Sequence, residues 1–458
     1  MVPFLLSLGL GCAPYGEPKS SPGLAEGDSG EATEEDHALG IATELAPLAP
    51  TVLRVTWSPP LGVESFVEFG TDEAYGLTAW PLDGRPGEAL LFGVPAATTG
   101  HFRVVVDDPE GRWTSSDQTY ETGDVPSEFP AFDLVEDQAG DWGRFVLLST
   151  LFLDADNQVL STVVVLDRGG LPVWWTEPST QEIHGARLSL DQQAIMVSWK
   201  RAGPQRPGGI GRVGLDGEVQ RRWDNDMTHH DFMELDGDRV LMLEMDIREF
   251  DDKMVAGDNL VEVDAAGERR LIWSAWDTLP PDSTGPLVQA AGVSAVDWTH
   301  ANGIAYDPHR HEYILSLFWL QQLVFVNADT GAVTATLGGS ESSWALTPDA
   351  RFGPQHAPVV TDDGLWLFDN GFLLGAPSRV MRLDLDDEAA TAALAWDWVY
   401  EGSPDFTIME GDVRPMASGH LFASFGSLGS AWVFSPEGDP TWQVQAREPV
   451  VLARGEAW

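Results

Sequence analysis

A turn followed a few residues later by an aromatic recurs along the C-terminal part of the chain, and this repeat constrains the fold more than any other feature. Asp167-Arg168-Gly169-Gly170 precedes Trp174 and Trp175. Asp216-Gly217 stands six residues before Trp223, Ala266-Gly267 six before Trp273, and Asp329-Thr330-Gly331 six before Leu337. Glu437-Gly438 stands four before Trp442, and a further unit, Asp384 to Asp387 before Trp396, lacks the glycine. The six units are spaced by roughly 35–60 residues, with strand and turn signals and no long helical periodicity. Repeats of that size predict the blades of a propeller. The expected fold is therefore all-β, with a six-bladed β-propeller over residues 130–458. Its tryptophans are expected to pack between neighbouring sheets.

Upstream, Thr51 to Trp57 alternates with period two until Ser58-Pro59-Pro60 breaks it. Phe66-Val67-Glu68-Phe69 and His101 to Val106 read as further strands, the latter ended by Asp107-Asp108-Pro109-Glu110-Gly111. The Val-x-Trp-x-Pro-Pro opening resembles a fibronectin type III domain. Residues 48–122 are thus expected to form a small fibronectin type III-like β-sandwich with a spacer or packing role. A proline-marked linker, Pro126 to Pro130, separates it from the repeats.

Cys12 is the only cysteine, which excludes an intrachain disulfide. It follows the apolar run Val2 to Leu10, and Leu8-Gly9-Leu10-Gly11-Cys12 resembles a bacterial lipoprotein signal whose cysteine is lipidated. Residues 1–12 are expected to be that signal. Residues 13–47, rich in Gly, Pro, Ser and Glu, are expected to be a flexible tether. The expected location is extracytoplasmic, lipid-anchored in a bacterial cell envelope. No other apolar run approaches the ~20 residues of a membrane span, so membrane contact is expected only through the anchor. The formal net charge is −46, from 72 acidic against 26 basic residues. Such a field repels nucleic acid and argues against a nucleic-acid partner. An anionic substrate then needs positive groups gathered locally.

Four repeat units begin with a histidine about seven residues ahead of a turn: His184 before Asp191, His230 before Gly237, His300 before Asp307 and His356 before Asp363. The sixth unit has Val413-Arg414 at that place. The first strand of a propeller blade lines the central channel, so these residues are expected to converge at one mouth. Imidazoles there suit metal ligation, nucleophilic attack or acid–base work near neutral pH. Asp231, Asp297 and Asp369 are expected to orient them or to ligate.

Longer strings carry a family resemblance. Asp297-Trp298-Thr299-His300-Ala301-Asn302 is similar to the Asp-Trp-x-His-x-Asn segment of aryl-sulfate sulfotransferases. Phe352-Gly353-Pro354-Gln355-His356-Ala357, followed by Leu367-Phe368-Asp369-Asn370-Gly371, resembles the family's Gln-His segment and its Phe-Asp-Asn-Gly strand. His229-His230-Asp231-Phe232 resembles a third signature. The resemblance covers roughly residues 130–458 and implies transfer of a sulfuryl group from a phenolic sulfate ester to a phenol, without a nucleotide donor. It implies that His356 attacks sulfur and becomes a sulfohistidine. It further implies that His300 and His230 bind sulfuryl oxygens or handle the phenol proton. His229, His184, Asn302 and Gln355 are expected to contact substrate or orient the histidines.

The resemblance also exposes a departure. An arginine usually lies 18 residues after the Asp-Trp-x-His histidine, and Phe318 stands there. Lys200, 16 residues after His184 on the corresponding strand of a neighbouring unit, is the expected substitute cation. The expected partners are a small phenolic sulfate donor and a phenolic acceptor; no cofactor and no oligomeric state is implied. Phe318 also motivates an alternative, a non-catalytic extracytoplasmic propeller that binds a ligand or protein. A metal-binding propeller ranks last, because no Cys-x-x-Cys or His-x-x-x-His spacing is present.

Overall fold

The computed structural model describes residues 39–458, apart from residues 110, 139, 203, 204, 291 and 403. Cys12 and most of the expected tether lie outside the described residues. The described chain is all-β, with 56% strand and 3% helix.

The N-terminal unit consists of two sheets. One has the strand order Ala42–Ala46, Ala49–Thr56, Glu88–Leu91. The other has the order Leu77–Ala79, Glu64–Gly70, Thr99–Asp108, Gly111–Thr114, with Gln118–Glu121 also paired to Thr99–Asp108. Leu53, Val55 and Trp57 bury against Val67, Phe69, Phe102 and Val104 between them. Residues 42–46, expected in the tether, instead form an edge strand. Ala42 pairs with Thr56, and Leu39 is sealed into the same core, so burial holds this segment in place. The alternate residues of Ala49–Thr56 face the rest of the chain. Val52 packs against Leu147 and Val163, and Arg54 Nη2 lies 2.9 Å from Asp216 Oδ2.

From residue 132 onward the described residues form six sheets of four or more strands, antiparallel except where Lys253–Val263 meets Val293–Asp297 and Thr391–Val399 meets Ala345–Leu346. The first holds Val450–Ala457, Phe145–Leu153, Val159–Asp167 and Pro172–Trp175. The second holds Ile183–Leu188, Ala194–Trp199, Gly209–Gly214 and Val219–Asp224. The third is built on Thr228–Leu235, Arg239–Phe250, Lys253–Val263 and Arg269–Ser274. The fourth holds Ala301–Asp307, Glu312–Leu317, Gln322–Asn327 and Val333–Gly338. The fifth is built on Gln355–Thr361, Gly364–Asp369, Arg379–Asp386 and Thr391–Val399. The sixth holds Asp412–Pro415, Leu421–Phe425, Ser430–Phe434, Pro440–Ala446 and Phe132–Asp137.

The first-named strands touch in cyclic order. Val450–Ala457 meets Ile183–Leu188, which meets Thr228–Leu235, then Ala301–Asp307, Gln355–Thr361 and Asp412–Pro415, which returns to Val450–Ala457. The two ends of this region therefore interlock: Phe132–Asp137 adds to the sixth sheet and Val450–Ala457 to the first.

Each turn-aromatic unit read from the sequence falls on the fourth strand of a sheet. The aromatics pack against the neighbouring sheet. Trp273 buries among Leu315, Val324 and Val326, and Trp223 among Val240, Met242 and Val261. Trp174 Nε1 donates to Leu215 O at 2.9 Å, and Trp442 Nε1 to Arg168 O at 2.8 Å, each reaching another sheet. A Trp442→Ala substitution removes both the packing and this bond. It is expected to cost ~3–5 kcal/mol of stability, read from the urea midpoint; a loss below about 1 kcal/mol would show that the seam does not depend on it.

Candidate active site

Four of the cyclically contacting strands are irregular where their histidines sit. Register shifts occur between Ile183 and Gly185, His229 and Phe232, Ala301 and Gly303, and His356 and Val359. The shift leaves one extra residue on the first strand of the second, fourth and fifth sheets and two, His230 and Asp231, on that of the third, which re-aims the side chains there. His230 and His300 both have φ of 51°, and Ala357 has φ of 49°, a left-handed backbone that non-glycine residues adopt only under tertiary support. His356 thus precedes the left-handed residue, whereas His230 and His300 are that residue. His184, His230 and His356 lie within their strands, and His300 immediately precedes Ala301–Asp307.

The rings form a continuous group. His230 lies 5.0 Å from His184, 5.1 Å from His229 and 4.7 Å from His300, centroid to centroid. Phe318 stands 5.3 Å from both His300 and His356. Phe318, where the sequence resemblance implies an arginine, therefore joins this group, its phenyl ring packed against two imidazoles.

His356 and His300 are held by different partners. His356 Nδ1 is 2.7 Å from Asn370 Oδ1. The Asn370 amide donates through Nδ2 to Thr407 O at 3.2 Å and Glu410 O at 2.9 Å, which turns its oxygen toward the ring. His356 therefore donates through Nδ1, and its Nε2 carries the lone pair. Among the described residues no hydrogen bond engages that Nε2. Burial, and then the Arg454 charge, push His356 well below the ordinary imidazole range. His300 Nδ1 instead lies 2.5 Å from Asp297 Oδ2, which also accepts from Trp319 Nε1 at 3.0 Å. Burial would lower His300, but the Asp297 carboxylate outweighs it and raises the ring. One imidazole is thus kept neutral and another is biased toward imidazolium.

Around them, His229 and His230 share a contact of 2.9 Å between their Nδ1 atoms. His229 Nε2 is 3.0 Å from Asp258 Oδ1, out of hydrogen-bond alignment. Asp258 Oδ2 accepts from Thr299 Oγ1 and Ala301 N, both at 2.6 Å. A layer of buried ions lies against the same strands. Arg187 Nη2 is 2.6 Å from Asp231 Oδ1, and Asp231 Oδ2 accepts from Ile304 N at 2.9 Å. Arg414 Nε is 3.2 Å from Asp412 Oδ1. Arg454 is fully buried, donating to Gly411 O at 2.6 Å and to Asn302 O.

Several expected roles are corrected. Lys200 Nζ pairs with Glu182 Oε2 at 3.0 Å, and its side chain is 43% exposed. The buried cation beside the histidines is Arg454, on the last strand of the chain. Gln355 donates to Ser316 Oγ, Leu317 O and Gln322 O, and Asn302 donates to Gln355 O. Both amides bind neighbouring strands together and do not orient an imidazole. Asp231 binds Arg187, not a histidine. Asp369 binds Arg379 Nε at 3.0 Å and the amides of Gly353 and Gly371; its neighbour Asn370 does the orienting. His420 lies on an outer turn against Ser418. Sequence reasoning also passed over Asp258 and Glu410. The polar pair Asp258-Asn259 inside the apolar run Met254 to Val263 was a usable signal for the first.

Near pH 7 the group can supply a neutral nucleophilic imidazole and a proton donor, with Arg454 as a fixed positive charge. The depressed His356 also has a consequence for stability. Below about pH 6.5 the unfolded chain takes up a proton that the folded ring refuses, so this contribution is complete above that pH and declines as pH falls. A His356→Gln chain is expected to lose acid sensitivity below pH ~6.5 by up to about 1.4 kcal/mol per pH unit, measured as urea midpoint against pH. An unchanged slope would sink the neutral-ring assignment.

The profile of the arylsulfotransferase (ASST) family matches residues 137–448. Among solved structures, the chain is similar to TolB from Acinetobacter baumannii at 10% identity, covering 80% of this chain and 80% of that one, with a TM-score of 0.43. It is similar to a periplasmic gluconolactonase of Pseudomonas aeruginosa at 11% identity, covering 68% of this chain and 98% of that one, with a TM-score of 0.40. A chain of the nidogen/laminin complex is similar at 12% identity, over 68% of this chain and 100% of that one, with a TM-score of 0.39. No curated protein matches the chain. The family match runs through all four histidine-bearing strands, and the chain belongs to the arylsulfotransferase family.

Proposed function

We propose that the protein moves a sulfuryl group from an aryl sulfate ester to a phenolic acceptor, without a nucleotide donor, through a sulfohistidine at His356. Family membership supports the reaction class. The observation that carries the nucleophile is the Asn370 hydrogen bond, which commits His356 Nδ1 and leaves the Nε2 lone pair unengaged. Nε2 attacks sulfur, the bond from sulfur to the aryl oxygen breaks, and His300 gives its proton to the departing phenolate. The acceptor phenol then returns its proton to His300 and attacks sulfur, and the bond from sulfur to His356 breaks. The two steps balance, and one site serves both. Arg454 and the imidazoles of His230, His229 and His184 surround the sulfuryl oxygens.

The architecture we propose is a closed six-bladed β-propeller, supported by the cyclic contacts of the six first strands. The strand order of the two N-terminal sheets supports a fibronectin type III-like domain. The apolar run before Cys12 supports a lipid-anchored, extracytoplasmic location.

Incubation with a chromogenic aryl sulfate is expected to add a sulfuryl mass to the peptide containing His356. His356→Ala is expected to lose both the adduct and transfer to phenol. Equal rates in wild type and His356→Ala would eliminate the assigned nucleophile. No transfer with any phenol would favour the ligand-binding alternative that Phe318 motivates. Asn370→Ala releases the tautomer and is expected to lower kcat on the order of 10²–10⁴-fold with little change in KM. A change confined to KM would mean that Asn370 serves binding alone.

A further inference from the structure

Several buried polar atoms beside the histidines lack a hydrogen-bond partner, among them His229 Nε2, Asn302 Oδ1, Gln355 Oε1 and Arg454 Nε, and two others belong to residues within ligand reach of His230. His184 Nε2 is one, with Glu182 Oε1 3.7 Å away. Glu410 Oε2 is the other, on a side chain only 11% exposed, with Arg454 Nη1 at 3.9 Å. The His230 ring lies 5.0 Å from that of His184, centroid to centroid. Its Nδ1 is committed to His229, which leaves Nε2. One ligand atom from each of His184, His230 and Glu410 lies within 4.8 Å of the others. Glu410 also has a left-handed backbone, with φ of 57°, so local strain is tolerated to bring its carboxylate here.

Uncompensated buried polar atoms are costly, and an ion that accepts their lone pairs is one way to resolve them. The donor set is two imidazoles and one carboxylate from three separate segments of chain. That set suits a borderline divalent metal and leaves a coordination position open. We propose that His184, His230 and Glu410 form a binding site for one divalent transition-metal cation, best matched to zinc, whose open position takes a sulfuryl oxygen. Zinc–nitrogen distances of about 2.0–2.1 Å place tetrahedral ligand atoms roughly 3.4 Å apart, so side-chain rotation of an ångström or so closes the site. Glu182 and Asp258 add negative charge nearby. Arg454 opposes it, and Lys200 is already paired with Glu182.

The cation would meet the need that Phe318 creates, a positive group for the sulfuryl oxygens where the arginine is missing. That role rests on the sulfuryl-transfer reading; metal binding itself does not.

The full chain, stripped with a chelator, is titrated with zinc by calorimetry and with cobalt by visible absorption. One zinc equivalent and an intense tetrahedral cobalt band are expected in wild type. Glu410→Gln is expected to weaken zinc at least ~10-fold, His184→Ala to abolish the band, and His356→Ala to bind as wild type. At equal zinc, the rise in melting temperature should be smaller for Glu410→Gln than for wild type. No saturable binding in wild type, or wild-type binding in both Glu410→Gln and His184→Ala, would overturn the site. Metal binding that survives in His356→Ala while sulfuryl adduct is absent from wild type would retain the metal site and remove the transfer reading.

Discussion

The antiparallel pairing of Val450–Ala457 with Phe145–Leu153 is the contact on which the rest depends. It gives the first sheet its innermost strand from the far end of the sequence. Without it the cyclic contact of the six first strands has a gap between Asp412–Pro415 and Ile183–Leu188. Edge backbone groups would be left unpaired on both sides of that gap. The same strand carries Arg454 into the middle of the site, where its guanidinium bonds Gly411 O and Asn302 O from two other sheets. One strand pairing thus sets both the contact between the first and sixth sheets and the charge beside the histidines.

The buried ions against those strands act in the same direction. Asp231 joins Arg187 of the second sheet to the backbone of Ile304 in the fourth. Burial alone would raise its carboxyl, but Arg187, helped by Arg454 and Arg414, outweighs burial and holds it near about 2. Asp412 accepts from the amides of Val413 and Gly455, again linking sheets. A pair of this kind adds little net stability over an apolar replacement, yet it penalises any arrangement that leaves one partner alone. It fixes how the sheets sit relative to one another, and so fixes the spacing of the imidazoles they carry.

Within that frame, residues of one type are driven to different states. His356 meets an amide oxygen and no carboxylate, so burial dominates and the ring stays neutral. His300 meets Asp297, and the charge outweighs burial. Glu410, buried with a weak ion contact, is pushed up to about 7, chiefly by burial. Acid and base roles therefore follow from neighbours and not from residue identity.

The sequence by itself determined the turn–aromatic repeat and the histidines that begin four of its units. Those features are local, because a turn and an alternating strand are written in a few consecutive residues. It also carried the family strings around His300 and His356. Only the tertiary structure decided that Asn370 and not Asp369 meets His356, because which of two adjacent polar residues faces the centre depends on the packing around them. The register shifts between His229 and Phe232 and between Ala301 and Gly303 were equally hidden, since a register shift exists only relative to a partner strand. Arg454 in place of Lys200, and Glu410 beside His184, required the closing strand and the sixth sheet to be in position. Glu410 and His184 are 226 positions apart and Arg454 and Asn302 152, and no local pattern encodes a distance that only the packing of separate sheets creates.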